Sequence, residues 1–509
     1  MVKWRYSAGM ALLCVLPKDR VGSVASDDAL LAVQAGVSDS RGPQFRQRHY
    51  FEGLSMRSLF VPTAMCLALL SACGGGGGGG GSDGAGAVAA SGYPGEPSSC
   101  DTAGQRDWLR DYMNDQYFWY DKQGVPNEAA TNTSEYLASL LNKPIDRYSF
   151  AQSTASATQF FVEGKRTGYG YALTFADAAQ TILKVRLVEP LSPVGLAGLQ
   201  RSDTIVSIDG KTPAEIVAGA LAVVSTEGVD RSFVVTNAAG VLRSFTVKSS
   251  NFTLSPVITS RVLTAANGAK TGYLMYQEFI NTGATAMGVA FDSFRAAGVT
   301  ELVLDLRYNG GGSTLQARNL ASMIGGASVD GKVFANYRYS DKKSASNFVQ
   351  NFSATGLPGA TLETLSRVFV ITSNGTASAS ELVINALRPF KNVVTIGATT
   401  FGKPFAFQPR SACDISYNAV NIEIANANNF ADYSAGFAPT CPMSDDLTKQ
   451  LGDPAELRTA AALSYITTGA CPPVAQSNIA GAAAKSAVNG ARVLDLGLGE
   501  MSPRQMRVD

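Results

Sequence analysis

The chain has 509 residues, of which 45% are apolar and 16% charged, a composition typical of a globular protein with room for two or three domains. Its formal net charge of +1 gives no reason to expect binding to nucleic acid or to an anionic surface. The one histidine, His49, lies in a segment that we do not expect in the mature protein. A Ser-His-Asp triad and a histidine-ligated metal site are therefore excluded.

The chain begins with segments that are predicted not to belong to the folded protein. Residues 1–55 show no sustained periodicity. Met56 then opens an apolar stretch that is too short to cross a membrane comfortably. The stretch ends in Leu70-Ser71-Ala72-Cys73, which resembles the lipobox of a bacterial lipoprotein. We therefore expect a signal peptide at 56–73, with Cys73 as the lipidated N-terminus.

A glycine-rich tether is predicted directly after this cysteine. Residues 74–97 are rich in Gly, Ala and Ser and begin with the run Gly74 to Gly81, which is typical of a flexible linker. The same glycines disfavour the alternative that the apolar stretch is a buried amphipathic segment. In the lipoprotein resemblance, Gly74 rather than Asp after Cys73 implies the outer membrane of a two-membrane cell. We expect a lipid-anchored protein of the cell envelope, on the periplasmic side of that membrane.

Four cysteines remain once those of the upstream segments are set aside: Cys100, Cys413, Cys441 and Cys471. An even number in an exported chain predicts two disulfides, with free buried thiols as the alternative. Three connectivities are possible, and we favour Cys413 with Cys441 and Cys100 with Cys471. Because the chain contains no Cys-x-x-Cys spacing, a metal site is disfavoured. No cofactor is predicted.

The first folded region, 98–162, is predicted to be helical. Apolar and aromatic residues recur at helical spacing in two groups, which are Trp108, Leu109, Tyr112, Met113, Tyr117 and Trp119, and then Leu137, Leu140 and Leu141. Such faces are more often packing surfaces than binding sites. We expect a small helical cap without chemistry of its own.

Residues 163–250 change to a pattern of short strands. The region carries three motifs, Gly168-Tyr169-Gly170-Tyr171, Ser192-Pro193-Val194-Gly195-Leu196-Ala197-Gly198-Leu199 and Asp203-Thr204-Ile205-Val206-Ser207-Ile208-Asp209-Gly210. Together they resemble a PDZ domain. The resemblance implies that the loop of Gly168, Tyr169, Gly170 and Tyr171 binds the C-terminal carboxylate of a peptide through backbone N–H groups, while the peptide adds a strand to the sheet edge. A plain turn is the alternative for this loop.

The third region, 251–470, begins with a strand, a helix and a buried strand, predicted at Gly272 to Tyr276, Ala284 to Ala297 and Glu301 to Leu306. The last strand ends in Arg307-Tyr308-Asn309-Gly310-Gly311-Gly312. Three glycines after a strand allow a backbone N–H to approach a ligand closely, and a tight strand-to-helix turn is the alternative. Asp305 and Arg307 are interpreted as structural partners rather than catalysts. A last helix is predicted at Pro454 to Tyr465, and residues 471–509 are expected to be loosely ordered.

The candidate chemistry lies between residues 366 and 408. The predicted elements are a buried strand at Val368 to Ile371, a turn at Asn374-Gly375, a helix from Ala379 that Pro389 ends, and a second strand at Val393 to Ile396. Strand, helix and strand make a right-handed parallel unit, and α/β folds place their chemistry at the strand ends. Ser378, at the first turn of the helix, and Lys403, after the second strand, lie at such ends.

A serine becomes a nucleophile only when another group takes its proton. With histidine excluded, the candidate base for Ser378 is Lys403, which accepts a proton only when it is neutral, and burial favours the neutral form. Lys403 is surrounded in sequence by Phe and Pro residues, with no acid within four residues. The backbone amide of Ala379, at a helix N-terminus, is a candidate donor to an oxyanion.

The run Asn374-Gly375-Thr376-Ala377-Ser378-Ala379-Ser380-Glu381, followed by Thr400-Phe401-Gly402-Lys403, resembles the C-terminal processing (tail-specific) serine proteases, the S41 peptidases. The glycine turn after Asp305 matches the same pattern. The resemblance implies a Ser-Lys dyad of Ser378 and Lys403, which are 25 residues apart, and makes Ser380 the weaker candidate. It covers roughly residues 100–470.

The resemblance assigns further roles. Glu381 matches an acidic neighbour that the family has three residues after the nucleophile, and a helix capping box with Ser378 is the alternative. The glycine turn would supply a second oxyanion donor beside Ala379, at Gly310 or Gly311. The implied fold is α/β (α+β), a crotonase/ClpP-like S41 protease core with an inserted PDZ-like β domain and an N-terminal helical cap.

The chain departs from the family pattern after the candidate base. The family has Gly and then a Gln at the fourth position after the lysine, whereas here Pro404 replaces the Gly and Gln408 is one residue late. A supporting role for Gln408 is therefore not carried over.

We predict an exported serine endopeptidase that captures the C-terminal tail of a protein or peptide and cleaves near it. Its partners would be substrates with free C-terminal tails and a membrane reached through the lipid anchor, with no nucleic acid. A non-catalytic peptide-binding lipoprotein is the alternative, although binding would require neither Ser378 nor Lys403. An acyl-CoA enzyme is disfavoured because nothing resembles a nucleotide site and export removes CoA from reach.

Overall fold

The structure is a computed structural model that describes residues 95–177 and 179–473 and the backbone of a short strand at Met506–Arg507. All of these residues belong to one compact unit, 83–509. The predicted signal peptide at 56–73, the lipidated Cys73, the glycine run and most of the C-terminal tail lie outside the described residues. No helix in the described ranges is long and apolar enough to cross a membrane.

The N-terminal region contains three helices and one strand: α1 (Thr102–Gln116), α2 (Thr133–Leu140), β1 (Phe150–Ser153) and α3 (Thr154–Phe161). Helix α1 begins where Asp101 accepts a hydrogen bond from the Gly104 amide at 2.7 Å, which satisfies an otherwise open donor of the first turn. Its apolar face is buried, and Trp108 packs against Tyr417 of the core. The predicted helical face is thus a packing surface.

The next region is a small β domain: β2 (Lys165–Gly168), β3 (Tyr171–Phe175), β4 (Leu183–Val188), α4 (Pro193–Leu196), β5 (Thr204–Ile208), α5 (Pro213–Val217), β6 (Asp230–Thr236), β7 (Leu242–Lys248) and β8 (Ser250–Thr253). Five of its strands form a sheet in the order β3-β4-β5-β6-β7, and β2 pairs with β8. Strand β3 therefore lies at an edge of the sheet. Ala172 and Leu187, on β3 and β4, pack into the buried cluster of the following domain, so the β domain is docked on it.

The remaining elements form the core: β9 (Val257–Thr264), β10 (Lys270–Tyr276), α6 (Gly283–Ala296), β11 (Glu301–Asp305), β12 (Gly312–Ser313), α7 (Thr314–Gly325), β13 (Val333–Tyr339), β14 (Phe348–Asn351), β15 (Arg367–Thr372), α8 (Ala379–Leu387), β16 (Asn392–Gly397), β17 (Phe405–Ala406), β18 (Arg410–Ala412), β19 (Ile415–Asn418), β20 (Ile422–Ala425), β21 (Cys441–Pro442), α9 (Leu457–Thr468) and β22 (Met506–Arg507). The last helix thus begins at Leu457, three residues later than predicted, because the side chain of Glu456 caps it by accepting from the Thr459 amide.

The core is built on a six-stranded sheet in the order β21-β16-β15-β11-β10-β9. Its strands are parallel except for β9, which runs antiparallel to β10. Residues of α6, α7 and α8 pack on one face of the sheet, and residues of α9 pack on the other. Because both faces are covered, strands such as β15 are continuous apolar runs rather than alternating ones.

The two disulfides predicted from the cysteine count are present, but the predicted connectivity is wrong. Cys100 is bonded to Cys413, and Cys441 to Cys471. Cys100 precedes α1, which packs on the β18–β19 hairpin whose turn contains Cys413. Cys471 follows α9, which packs beside β21 and its Cys441. The packing partners of two helices therefore decide the pairing, and sequence order does not reveal them.

Candidate active site

The candidate nucleophile lies on a strained strand-to-helix turn. Ser378 directly precedes α8 and has φ of +65° and ψ of −116°, a conformation that a residue with a side chain rarely adopts. Such strain costs on the order of 1–3 kcal/mol and is characteristic of functional sites. Ser378 is fully buried, and its Oγ makes no hydrogen bond to any described residue. A hydroxyl in this state is available to a reaction partner.

The neighbouring Ser380, which the sequence makes the weaker candidate, has a different environment. Its hydroxyl donates to the carbonyl of Asn309 at 3.0 Å. The amide of Ala377 donates to the same carbonyl at 3.1 Å. Ser380 therefore fastens the α8 turn to the glycine turn after β11, which is a structural role.

Glu381 connects the candidate nucleophile to the candidate base. Its buried carboxylate accepts four hydrogen bonds, from the amides of Ser378 (2.8 Å), Lys403 (2.8 Å) and Gly402 (2.6 Å) and from Oγ1 of Thr400 (2.5 Å). Burial raises the pKa of Glu381, and these four donors oppose that effect. The sequence left two interpretations of Glu381 open, a helix capping box with Ser378 and the acidic neighbour of the family pattern. The hydrogen bond from the Ser378 amide to Glu381 is compatible with both.

Lys403 lies in the loop that follows β16 and is fully buried. Its Nζ lies 4.2 Å from the ring centre of Phe407 and 5.8 Å from that of Tyr148. The amine therefore lies among aromatic side chains and away from bulk water. The sequence expectation of an apolar surrounding is therefore met by residues from two parts of the chain.

The glycine turn after β11 is organised by Asn309. Its Nδ2 donates to the carbonyl of Tyr276 at 2.9 Å, and its Oδ1 accepts from the amide of Gly311 at 2.8 Å. The Gly311 amide is thus already engaged, whereas the amide of Gly310 has no hydrogen bond to a described residue. Of the two donors that the sequence left open, the geometry favours Gly310. Asn309 itself was not predicted, because an asparagine beside glycines is also a common turn residue.

Two residues of the N-terminal region hold the loop of the candidate base. The hydroxyl of Tyr148 donates to the carbonyl of Gly402 at 2.7 Å. Nη2 of Arg147 donates to the carbonyls of Phe401 (2.9 Å) and Ser434 (3.1 Å), and its guanidinium lies 4.4 Å from the centre of the Phe401 ring. The predicted helical cap therefore contributes to the site. Sequence spacing gives no signal for this contact, since more than 250 positions separate the partners.

Comparison with known proteins decides the family. A model of peptidase family S41 matches residues 270–440, and a model of the peptidase S41 N-terminal domain matches residues 104–150. A crystal structure from Bacteroides fragilis assigned to the S41 proteases is 30% identical to this chain, with a TM-score of 0.60, and the match covers 71% of this chain and 97% of that one. The chain belongs to peptidase family S41. This confirms the predicted mixed α/β fold and places the chain among serine-type peptidases.

Curated S41 relatives include carboxyl-terminal-processing enzymes. The chloroplastic C-terminal processing peptidase of Tetradesmus obliquus is 27% identical over 280 residues, which are 52% of this chain and 57% of the relative. The carboxyl-terminal-processing protease of Picosynechococcus is 26% identical over 306 residues, 58% of this chain and 70% of the relative. The chain thus spans little more than half the length of the first of these S41 relatives.

Gln408, the residue at which this S41 chain departs from the family pattern, is engaged elsewhere. Its side-chain Oε1 accepts from the hydroxyl of Tyr339 at 2.9 Å, and its backbone N–H donates to Oδ1 of Asn421 at 3.1 Å. These contacts tie the segment after β17 to β13 and to the segment before β20. They account for the residue without a catalytic role.

A buried ion network underlies the glycine turn of this S41 core. Arg307 makes two hydrogen bonds to Glu456 (2.8 and 2.9 Å) and ion pairs with Asp305 and Asp445, each at 2.8 Å. Arg201 of the β domain also pairs with Asp445 at 2.8 Å. As interpreted from the sequence, Asp305 and Arg307 act as structural partners, and the network joins the β domain to the turn.

The predicted peptide-binding loop lies beside the edge strand β3. Both of its tyrosines are fully buried: Tyr169 donates to the carbonyl of Val229 at 3.0 Å, and Tyr171 accepts from Arg231 at 3.3 Å. Their side chains therefore pack the β domain, so a ligand would meet only the backbone of this loop. Gly170 must be glycine, because a Cβ there would lie 2.0 Å from Cβ of Ser192.

Proposed function

We propose that this S41 family member is a serine endopeptidase that uses Ser378 as nucleophile and Lys403 as general base. The observation that carries the proposal is the sharing of one carboxylate oxygen of Glu381 by the backbone amides of both residues. This contact holds two groups in fixed register, a strained serine whose hydroxyl bonds to none of the described residues and a buried lysine. A protein that only bound peptides would require neither group.

The chemistry follows the acyl-transfer scheme. Neutral Lys403 takes the proton of Ser378 Oγ while the oxygen attacks the substrate carbonyl, and the tetrahedral oxyanion accepts hydrogen bonds from the amides of Ala379 and Gly310. When the C–N bond breaks, the lysine returns the proton to the leaving amine. Water then attacks the acyl-enzyme and gives a proton to the same lysine. The lysine passes this proton to Ser378 Oγ as the ester C–O bond breaks, which releases the second product and restores the neutral base.

The β domain at 163–250 would act as a PDZ-like tail-binding module. An extended peptide can add a strand to the β3 edge, and its C-terminal carboxylate can meet the backbone N–H groups of the Gly168–Tyr171 loop. The names of the curated relatives support a C-terminal tail as the substrate. We infer that the substrates are proteins or peptides with free C-terminal tails.

We also propose export and lipid anchoring at Cys73. The two disulfides support export, because such bonds persist in oxidising compartments. The lipobox resemblance and the glycine run support an anchor on the periplasmic side of an outer membrane, reached through a flexible tether. The alternative function is a peptide-binding lipoprotein without catalysis, which would need only the β domain and the anchor.

Covalent labelling tests the proposal. A fluorophosphonate probe should label the full chain at Ser378, as identified by peptide mass spectrometry. Lys403→Ala should reduce the labelling rate about 100-fold or more, because the hydroxyl loses its base. Ser380→Ala is the matched control and should still be labelled at Ser378. Labelling at Ser380 would contradict the assignment of Ser378 as nucleophile. No labelling in any variant would favour the binding protein, and tighter binding of a tail peptide with a free carboxylate than of the amidated peptide would then identify it.

A further inference from the structure

A short strand from the far end of the sequence pairs with the strand that follows the glycine turn of the candidate active site. Strand β22 pairs in parallel with β12, with Met506 opposite Gly312 and Arg507 opposite Ser313. The proposed mechanism makes no use of this contact. Its place in the fold indicates what it does.

The hydrogen bonds on one side of β12 determine which backbone groups face β22 on the other side. The amide of Phe279 donates to the carbonyl of Gly311 at 3.0 Å, and the amide of Ser313 donates to the carbonyl of Phe279 at 2.7 Å. Successive residues of a strand direct their N–H and C=O groups to opposite sides. The backbone groups of Gly312 therefore face away from Phe279, towards the 506–507 segment.

This edge exists only because residue 312 is glycine. A Cβ at Gly312 would lie 2.1 Å from the carbonyl oxygen of Phe279, and the residue has φ of +132°. The glycine thus lets β12 approach Phe279 closely and still present its other side to a strand.

The edge lies between the two halves of the candidate site. Gly312 follows the oxyanion donor Gly310 by two positions, and β22 also lies beside β17, which begins two positions after Lys403. A main chain bound here is flanked by the strand that follows the oxyanion turn and the strand that follows the candidate base, and we infer that an extended substrate would use the same edge to reach Ser378.

We propose that the 506–507 segment is an intramolecular ligand of this substrate-binding edge and competes with substrate tails for it. The inference rests on the proposed peptidase function. Two paired residues form a weak contact, but the segment belongs to the same chain as the edge, which gives it an effective concentration on the order of millimolar. A competitor of this kind raises the apparent KM and leaves kcat unchanged, since the transition state forms only after the segment leaves.

Two matched double variants of the full chain test the competition. Met506→Pro with Arg507→Pro removes the backbone donors of the segment, whereas Met506→Ala with Arg507→Ala keeps them. We expect the proline variant to cleave a tail substrate with an apparent KM about threefold lower or more, at unchanged kcat. The alanine variant should match the parent. Equal KM in all three proteins would overturn the competition, and an equal fall in both variants would show that it does not depend on the backbone donors.

Hydrogen exchange in a Ser378→Ala background provides a readout that does not need activity. The peptide covering 306–320 should exchange faster when the two prolines are present than in the parent background. Faster exchange without any cleavage by the active chains would refute the peptidase function and leave the docking in place. Normal cleavage with unchanged KM and unchanged exchange would refute the docking and leave the function in place.

Discussion

The backbone amides of Ser378 and Lys403 donate to the same atom, Oε2 of Glu381, each at 2.8 Å. The first amide belongs to the turn before α8 and the second to the loop after β16, so one buried carboxylate fixes both segments. Its other oxygen holds Gly402 and Thr400 of the same loop. The register of the proposed nucleophile and the proposed base is thus set by this single side chain.

Replacing Glu381 by Gln should reduce kcat about 100-fold with little change in KM. The amide NH₂ of Gln would face two of the four donors that now bind carboxylate oxygens, so the lysine loop would shift, and displacements of about 1 Å cost about this factor. Steady-state kinetics on a tail substrate, with circular dichroism to verify folding, would measure the effect. An unchanged kcat in a folded variant would show that the carboxylate does not set the register.

Removing the hydroxyl of Tyr148 should lower kcat about 3- to 10-fold, because the Gly402 carbonyl loses its 2.7 Å donor and the base becomes less well held. The loss of folding stability should be about 1 kcal/mol. The comparison is Tyr148→Phe with Tyr136→Phe, since Tyr136 lies in the same region but bonds to Glu128 at 3.4 Å, away from the site. Equal effects of the two changes on kcat would show that the Tyr148 hydroxyl does not position the loop of Lys403.

The ion network predicts acid lability of the core. Burial works against ionisation of Glu456, but Arg307 overcomes it and lowers the pKa of that carboxyl from 4.5 to about 2. A depressed carboxyl pKa contributes stability that is fully present above about pH 4.5 and is lost as the pH falls towards 2.

Glu456→Gln should therefore cost about 3–5 kcal/mol at neutral pH and weaken the fall in stability between pH 5 and pH 2.5. Urea unfolding at several pH values would measure both effects. Glu163→Gln, which removes an exposed pair with Lys165, is the control and should change stability by less than about 1 kcal/mol. An acid transition equally steep with and without Glu456 would contradict the assignment.

The disulfides predict unequal stabilisation. Cys100–Cys413 joins residues 313 positions apart, and Cys441–Cys471 joins residues 30 positions apart. In the chain-entropy model, replacing the first pair by serines should cost about 2 kcal/mol more than replacing the second. Denaturant unfolding of the two double variants would measure the difference. Non-reduced peptide mapping that found Cys413 joined to Cys441 would contradict the pairing itself.

The core and its candidate dyad could be predicted because their signals are local. The apolar run before Asn374, the helix after Ser378 and the turn of glycines after Asp305 each specify an element from neighbouring residues alone. The strands β15 and β16 and the helix α8 follow these predictions closely. The 25-residue spacing of serine and lysine then indicated the chemistry.

What could not be predicted depends on contacts between distant parts of the chain. The clamp from Tyr148 to Gly402, the disulfide from Cys100 to Cys413 and the pairing of 506–507 with β12 join segments that share no pattern. Burial of both tyrosines in the Gly168–Tyr171 loop likewise depends on Arg231 and Val229, far along the chain. Tertiary packing decides each of these features.

Cleavage of an unstructured protein with an apolar C-terminal tail tests the central claim most directly. The full chain is compared with Ser378→Ala, Lys403→Ala and, as the matched control, Ser380→Ala, with folding verified for each. We expect turnover by the parent and by the Ser380 variant, and a loss of about 1000-fold or more in the other two, because each removes one partner of the proton transfer. Turnover that survives Ser378→Ala or Lys403→Ala would contradict the Ser-Lys dyad.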